Sequence, residues 1–343
     1  MRIPIRNCTD ALRQSPSCRS LPAVKARPHP ALRGARRLLV VVDPAAAAQP
    51  ALEKAARLGR ALRAAVELYT CDFREGLDGP GRGLAAARRG YVAAGEALLR
   101  GLAREYLKSG RAAVRYELGH PRVPRILAEV RRTRADLVIV DSHFHPGARR
   151  ALFGPSDWPL IRDCPVPLLY AKPGRWHGAP RIAAAVDPRH PADRRARLDV
   201  EIVAQARALA RALKGSLSVV HAWLPLEPAV AGPVALGLPG AAGGAVEQRL
   251  ADAEAHAARA VTALSRGGGR PPAEVVLLRG AAVETLPGFA EVEGLDVIAL
   301  GAVSRGRLYE ALVGATAERL LERFACDVLV VKVRRGVRRR IPV

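Results

Sequence analysis

The feature that most limits how this chain of 343 residues can fold is an internal repeat. An apolar run that ends in Asp43-Pro44 returns as one ending in Asp187-Pro188, 144 positions later. The run DLVIV that opens at Asp136 returns as DVIAL at Asp296, 160 positions later. The second copy is therefore 16 residues longer, and the difference lies in a Gly-, Pro- and Ala-rich insert at 225–246. The repeat predicts two similar domains in tandem.

Each copy alternates strand signals with helical periods. In the first copy these signals predict strands at about 38–42, 66–70, 113–118, 137–140 and 168–171, and helices at about 49–63, 84–108, 123–134 and 157–163. Strands that carry unbroken apolar runs are typical of a parallel sheet covered on both faces. We therefore predict an α/β fold of two flavodoxin-like domains, each a doubly wound, five-stranded parallel sheet. Domain 1 is expected at 37–173 and domain 2 at 179–334, joined by the linker PGRWHGAP.

Both ends of the chain are basic. The chain has 55 Lys and Arg against 32 Asp and Glu, which gives a net charge of +23. Residues 1–36 lack a sustained apolar period, and we predict that they form a disordered basic tail, while residues 335–343 form a basic C-terminal tail. Heavy use of Arg, Ala and Gly is more typical of a GC-rich coding sequence than of selection for nucleic acid. The tails still leave open a protein that binds RNA or DNA with strong salt dependence, although only 4% of residues are aromatic and could stack on bases.

The cysteines point to a reducing compartment. They lie at positions 8, 18, 71, 164 and 326, with no CxxC pair and no zinc-type spacing. Residues 1–36 hold no continuous apolar run of the kind found in secretory signals. The uncharged stretch 228–246 contains three prolines and five glycines, which would break a membrane helix. We predict reduced thiols, a cytoplasmic location and no membrane association.

The segment from Asp296 to Lys332 carries the clearest ligand signal. A buried strand is followed by Gly301, a polar loop with Ser304, Arg305 and Arg307, then Gly314, and a helix that opens with Ala315 and Thr316. Glycine at the end of a strand and before a helix lets the main chain approach a phosphate, and the helix N terminus offers N–H groups. The arginines could pair with phosphate oxygens or lie in solvent.

This spacing resembles the G-x-x-G-(nine residues)-G-(S/T) nucleotide loop of the universal stress protein family. The residues Ala317-Glu318-Arg319 and the last strand, 326–331, are also similar to the end of that family's domain. Two positions depart from the pattern. Ser304 replaces the second glycine, and Ala315 replaces the Ser or Thr.

In the first copy, Asp157-Trp158 and the run 162–167 are similar to the E-type tandem subgroup of the family. The resemblance covers about 37–334 and implies that the two last strands pair the domains as an internal pseudo-dimer, with a homodimer as a further expectation. It also implies ATP or a related adenine nucleotide in domain 2. The expected contacts are Asp187, Gly301, Ser304, Arg305, Gly314, Ala315 and Thr316. The alternatives are that Asp187 only caps a helix and that the loop is a plain connection.

The first copy departs further from the nucleotide pattern. Asp141 stands where the second copy has Gly301, and Pro155 stands where it has Ala315. A carboxylate repels phosphate and proline removes an N–H donor, so residues 141–156 are expected not to form the same loop, and Asp43 is expected to be structural. A zinc-like site made by His120, His143 and His145 is a weaker alternative.

No catalytic set emerges from the sequence. The motifs G-x-S-x-G, HExxH and the Walker lysine are missing, and His221 has no acid–base partner. The leading hypothesis is a stress-response protein that binds a nucleotide in domain 2. It would act by binding to a regulatory protein partner, which the sequence does not identify, and would hydrolyse ATP at most slowly and incidentally. The alternatives are the nucleic-acid-associated protein and a nucleotide-independent scaffold with a ligand or metal in domain 1. An adenylyl-transferring enzyme would need a phosphate-loop histidine motif, which is not found.

Overall fold

The structure is a computed structural model that describes residues 2–4, 32, 34–77, 82–108, 112–142, 157–188, 197–224, 244–266, 273–301 and 315–332. The strands are β1 (Arg2–Pro4), β2 (Arg37–Val41), β3 (Ala65–Asp72), β4 (Ala113–Leu118), β5 (Leu137–Asp141), β6 (Leu168–Ala171), β7 (Arg181–Ala185), β8 (Ser216–Trp223), β9 (Ala273–Arg279), β10 (Val297–Gly301) and β11 (Asp327–Val331). The helices are α1 (Pro50–Leu62), α2 (Arg82–Leu107), α3 (Arg122–Thr133), α4 (Asp157–Asp163), α5 (Arg197–Leu213), α6 (Gly244–Arg266), α7 (Ala282–Val292) and α8 (Ala315–Arg323).

The strands form one sheet in the order β1-β9-β8-β7-β10-β11-β6-β5-β2-β3-β4. Neighbouring strands are parallel except for β1 with β9 and β6 with β11. Strands β2–β6 and β7–β11 repeat one arrangement, which reads 3-2-1-4-5 when the strands of each half are numbered in chain order. The predicted tandem, doubly wound α/β fold is confirmed. Its strand order is that of a Rossmann-type half, so the term flavodoxin-like describes the layers and not the order.

Both faces of the sheet are covered by helices, which explains the unbroken apolar runs. Leu38 and Val40 of β2 lie in the apolar cluster that contains the buried residues of α1 and α2. Leu39 and Val41, on the opposite face, lie in the cluster with those of α3 and α4. A strand buried on both faces needs apolar residues at every position, which a half-exposed strand does not.

The repeated aspartate before the fourth strand of each half ties that strand to the first one. The Asp136 carboxylate accepts the main-chain N–H groups of Arg36 at 2.8 Å and Arg37 at 3.1 Å. In the second half the Asp296 carboxylate accepts the N–H of Arg181 at 2.7 Å. The acid that opens the DLVIV and DVIAL runs therefore fixes neighbouring strands at their amino ends.

The two halves meet where β6 and β11 pair antiparallel, as the expected pseudo-dimer requires. Asp327, which opens β11, is 3% exposed and binds the chain that leaves β6. Its carboxylate accepts the N–H of Lys172 at 2.7 Å and the indole N–H of Trp176 at 2.7 Å. Lys54 Nζ of α1 lies 4.0 Å from Asp327 Oδ2. Burial raises the pKa of the Asp327 carboxyl to about 6, against the lysine charge and the two N–H donors, which lower it.

The terminal segments are described only in part. Of residues 1–36, which were expected to form a disordered tail, Arg2–Pro4 form β1 on β9, and Leu32 and Ala35 are buried in the apolar cluster that also contains Leu38. The predicted tail at 335–343 lies outside the described residues, and so does the insert after β8 up to residue 243, while its last three residues begin α6. Within the described part of the chain, no helix combines the length and apolar character that a membrane crossing requires.

Candidate functional site

The candidate site lies at the carboxyl ends of β7 and β10, the first and fourth strands of the second half. These strands are neighbours, and the strand order reverses direction between them. In open α/β sheets, the crevice at such a reversal is where ligands bind. Asp187 follows β7 and Gly301 ends β10, so the fold places these two predicted residues at the same edge of the sheet.

The loop after β7 is attached to helix α5. The main-chain N–H of Asp187 donates to Oδ1 of Asp199 at 3.1 Å, and Asp199 is fully buried. The Nδ1 atom of His221 lies 2.9 Å from the carbonyl oxygen of Val186, and this ring is 3% exposed. His221 thus joins β8 to the end of β7, and Asp187 itself remains exposed.

Gly301 has a packing reason to be glycine. A Cβ atom at this position would lie 2.5 Å from Cδ2 of Leu198, a buried residue at the start of α5. The side chain of Leu198 therefore occupies the space that any larger residue at 301 would need. Neither Leu198 nor Asp199 belongs to a sequence motif, and their part in this edge of the sheet was not predicted.

In the first half, the sizes of the two residues at the equivalent position are reversed. Asp141 ends β5, as Gly301 ends β10, and its Oδ1 accepts the main-chain N–H of Ala51 at 2.6 Å. Ala51 lies in the first turn of α1, as Leu198 lies in the first turn of α5. The first half combines a large strand residue with a small helix residue, and the second half combines glycine with leucine. A carboxylate from β5 thus occupies the N terminus of α1.

Two further side chains hold the loop between β2 and α1. Asp43 Oδ1 accepts the N–H of Ala45 at 3.0 Å. The buried side chain of Gln49 donates from Nε2 to the carbonyl oxygens of Asp43 at 2.6 Å and Ala46 at 3.1 Å. These contacts give Asp43 the structural role that was expected of it.

The remaining predicted contacts lie mostly outside the described residues. This applies to Ser304, Arg305 and Gly314, while Ala315 and Thr316 begin α8. Because β10, α8 and β11 form a parallel crossover, the N terminus of α8 starts from the same edge of the sheet as Gly301. Asp187, Gly301 and the start of α8 therefore lie at the same edge of the sheet.

The alternative zinc-like site is not assembled in the described residues. His143 and His145 lie outside them, and the ring of His120 packs edge-on against Phe73 with centroids 5.5 Å apart. Among the residues that the structure describes, no group of three or more His, Cys, Asp or Glu side chains could hold a metal ion.

The comparison with family models matches the universal stress protein family twice, at residues 34–172 and 181–332. The chain belongs to the universal stress protein family. The two matches cover the same two halves that the sheet defines, and they link the protein to the stress response.

Relatives agree with this assignment, and a solved structure shares the fold. The protein is 27% identical over 306 residues to universal stress protein E of Salmonella typhi, covering 86% of this chain and 93% of that protein. Universal stress protein E of Escherichia coli K12 gives the same identity and coverage. A crystal structure of a functionally unknown protein from Pseudomonas aeruginosa PAO1 aligns with a TM-score of 0.62 at 24% identity, covering 88% of this chain and 94% of that one. These similarities confirm the predicted tandem, E-type resemblance; the site residues stay predictions.

Proposed function

We propose that the second half of this universal stress protein binds an adenine nucleotide, such as ATP, at the carboxyl ends of β7 and β10. The protein would act in the stress response by binding and not by catalysis. Family membership supports the stress role, and the position at the strand-order reversal supports a ligand. A nucleotide-dependent change in the loop after Gly301 would then alter the surface offered to a regulatory protein.

The observation that carries the proposal is the difference between the two halves at one edge of the sheet. In the first half the Asp141 carboxylate lies on the N terminus of α1. In the second half Gly301 places no side chain there and brings no negative charge. At the strand end itself an anionic ligand would meet the Asp141 carboxylate in the first half and no side chain in the second, where the carboxylate near that end is the buried Asp199 of α5. This favours the second half as the nucleotide-binding one.

The proposed contacts combine described and undescribed residues. In this proposal Asp187 contacts the adenosine end, and its exposure after β7 supports this contact. The phosphates would meet the start of α8 at Ala315 and Thr316, where the helix N terminus favours negative charge. Ser304, Arg305 and Gly314 of the connecting loop complete the predicted set.

The first experiment is a thermal shift titration of the full chain with Mg-ATP up to millimolar concentration. A ligand present at about 100 times its Kd stabilises the folded state by about 2.7 kcal/mol, which is measurable as a rise in Tm. Asp187→Ala should reduce the rise. Unchanged Tm in the wild type at every concentration would refute the nucleotide proposal.

A second experiment transfers the first half's arrangement to the second. The double variant Leu198→Ala/Gly301→Asp reproduces the Asp141 and Ala51 pair, with space for the new side chain. It should fold and lose the ATP-dependent rise in Tm. Leu198→Ala alone is the matched control and should keep it. Equal responses of both variants to ATP would place the nucleotide elsewhere.

A further inference from the structure

The two edges of the 11-stranded sheet differ in whether a further strand pairs with them. At one end β9 is covered by the antiparallel strand β1. At the other end lies β4, Ala113–Leu118, and no strand among the described residues pairs with its outer side. An open edge leaves a row of N–H and C=O groups unpaired, and proteins usually shield it with a proline, a bulge or a covering segment. The sequence of β4, AVRYEL, contains no proline.

The direction of the main-chain groups in β4 follows from one hydrogen bond. The N–H of Gly119 donates to the carbonyl oxygen of Asp72 in β3 at 2.8 Å. Since successive residues of a strand point to opposite sides, Arg115 and Glu117 also direct their main-chain groups toward β3. The alternate residues of the strand, which are Val114, Tyr116 and Leu118, direct their main-chain N–H and C=O groups outward.

We infer that β4 pairs antiparallel with β4 of a second copy of this chain, about a twofold axis at Tyr116. In this register Val114 lies opposite Leu118 of the partner subunit, and Arg115 lies opposite Glu117 of the partner subunit. Opposite charges and apolar pairs directly across an antiparallel ladder stabilise it. The edge is therefore complementary to itself, and the two sheets become one.

The charge pattern selects this register over its neighbours. Moving the axis by one residue in one direction places Arg115 opposite its own copy, and in the other direction places Glu117 opposite its own copy. Like charges in these positions destabilise a strand pair. Only the axis at Tyr116 gives two opposite-charge pairs.

The side chains at this edge are accessible. The Arg115 side chain is 41% exposed and that of Glu117 is 22% exposed, and the two are 3.4 Å apart. Arg115 also lies 3.3 Å from Glu129 of α3. A groove of about 360 Å³ lies between β4 and α3, and its lining includes Arg115 and Glu117 of the strand and Glu129 of the helix. The described part of α3 thus covers one face of β4 without filling the space beside these two strand side chains.

The experiment is sedimentation velocity of the full chain over a wide concentration range. We expect a concentration-dependent species of twice the 36.6 kDa chain mass. Val114→Pro removes an N–H that points outward and leaves the hydrogen bonds to β3 intact, so it should abolish this species. Arg115→Glu faces Glu117 of the partner subunit and should weaken the dimer by about tenfold or more. Arg131→Glu, an exposed position on α3 with the same charge change, is the matched control and should dimerise like the wild type.

Amide hydrogen exchange separates this interface from any other. In the dimer the N–H groups of Tyr116 and Leu118 should exchange slowly, and in Arg115→Glu they should exchange fast. The N–H groups of Arg115 and Glu117 should be protected in both, because they bind β3. A chain that stays monomeric throughout, or a dimer that both Val114→Pro and Arg115→Glu leave intact, overturns the inference. If Val114→Pro fails to fold, the Arg115→Glu result and the exchange pattern decide.

Discussion

Lys172 and Lys332 hold equivalent places at the ends of β6 and β11, and each binds the helix end of the opposite half. Lys172 Nζ donates to the carbonyl oxygen of Phe324, beyond the last residue of α8. Lys332 Nζ donates to the carbonyl oxygen of Cys164, beyond the last residue of α4, at 2.8 Å. Both donors and both acceptors are related by the same 160 positions. The contacts therefore follow the internal pseudo-twofold and fix each half to the other.

These two lysines predict a rise in stability at alkaline pH. Burial lowers the pKa of each ammonium from 10.5 to about 8. Below pH 8 both the folded and the unfolded chain hold these protons, and the folded state bears the full cost of the buried charges. Between about pH 8 and 10.5 the unfolded chain binds more protons, so stability rises with pH, by up to about 1.4 kcal/mol per pH unit for each lysine. Urea unfolding at pH 7.5, 8.5 and 9.5 measures this slope.

The matched variants isolate the effect from other groups that titrate. Each of the single variants Lys172→Met and Lys332→Met should lose about half of the increase in unfolding free energy with pH. In the double variant the unfolding free energy should change little over this pH range. Lys108→Met, at an exposed position, should keep the wild-type slope. A wild-type slope that survives in the double variant would show that these ammonium groups are not the cause.

Asp327 is expected to be the most sensitive single position at the junction. Asp327→Ala leaves the N–H groups of Lys172 and Trp176 without their acceptor and removes the carboxylate beside Lys54. We expect a loss of about 3 kcal/mol in the free energy of unfolding at pH 7. Asp327→Asn keeps one acceptor oxygen and should lose less. A loss below about 0.5 kcal/mol for Asp327→Ala, as for an ordinary surface substitution, would contradict this assignment.

The same carboxyl gives a dependence on acid pH with a defined sign. Its pKa is raised from 3.8 to about 6 in the folded state, so between these values the folded chain binds more protons than the unfolded one. This group's contribution to stability therefore increases as the pH falls from about 6 to 4. Thermal unfolding at pH 7 and 5 should show the wild type gaining stability relative to Asp327→Asn. A constant difference between the two proteins would contradict the raised pKa.

The fold was predictable because it is encoded in runs of neighbouring residues and in the repetition of these runs along the chain. Charge-free runs such as Leu137–Val140 predict strands buried on both faces, and the repeat predicts that the second half copies the first. The strand order within each half was not predictable from periodicity, which indicates where a strand lies along the chain and not which strand lies beside it. The short strand Arg2–Pro4 gave no signal, since three residues show no period.

For the candidate site, the sequence predicted the residues of the motif but not the contacts that they make with distant residues. Gly301 was expected to bring the main chain close to a ligand, whereas in the structure its missing Cβ also makes room for Leu198. Asp141 was expected to repel phosphate, but its contact with the N–H of Ala51 joins residues 90 positions apart. The burial of Lys172 was not predicted at all. Pairings of this kind depend on tertiary distances that sequence spacing does not contain.

Asp141 is expected to stabilise the first half as a remote helix cap. Gln49, the residue before α1, makes no side-chain capping bond, and the Asp141 carboxylate supplies one to Ala51. Asp141→Ala should lower the free energy of unfolding by about 1 kcal/mol, and Asp141→Asn, which keeps an acceptor oxygen, should recover most of this. Urea unfolding of the three proteins measures the difference. Equal stability of Asp141→Ala and the wild type would remove the capping role.

Gly301 and Leu198 should show strong energetic coupling, because each determines the size that the other can have. Gly301→Ala places a Cβ 2.5 Å from Leu198 Cδ2 and should cost about 1–3 kcal/mol. Leu198→Ala alone should cost about 3 kcal/mol by leaving a cavity. In the double variant the alanine at 301 enters space that the leucine has left, so its cost should be less than the sum of the two single costs by at least about 1 kcal/mol.

Ala206→Gly, at a fully buried position further along α5, is the control partner for Gly301→Ala. It removes a buried methyl group from the same helix, about two turns beyond Leu198, and its cost should add to that of Gly301→Ala. Additive costs for Leu198 and Gly301 would mean that the two residues adjust independently. Glycine would then be required at 301 for the ligand loop alone, whereas coupling would show that packing against α5 already requires it.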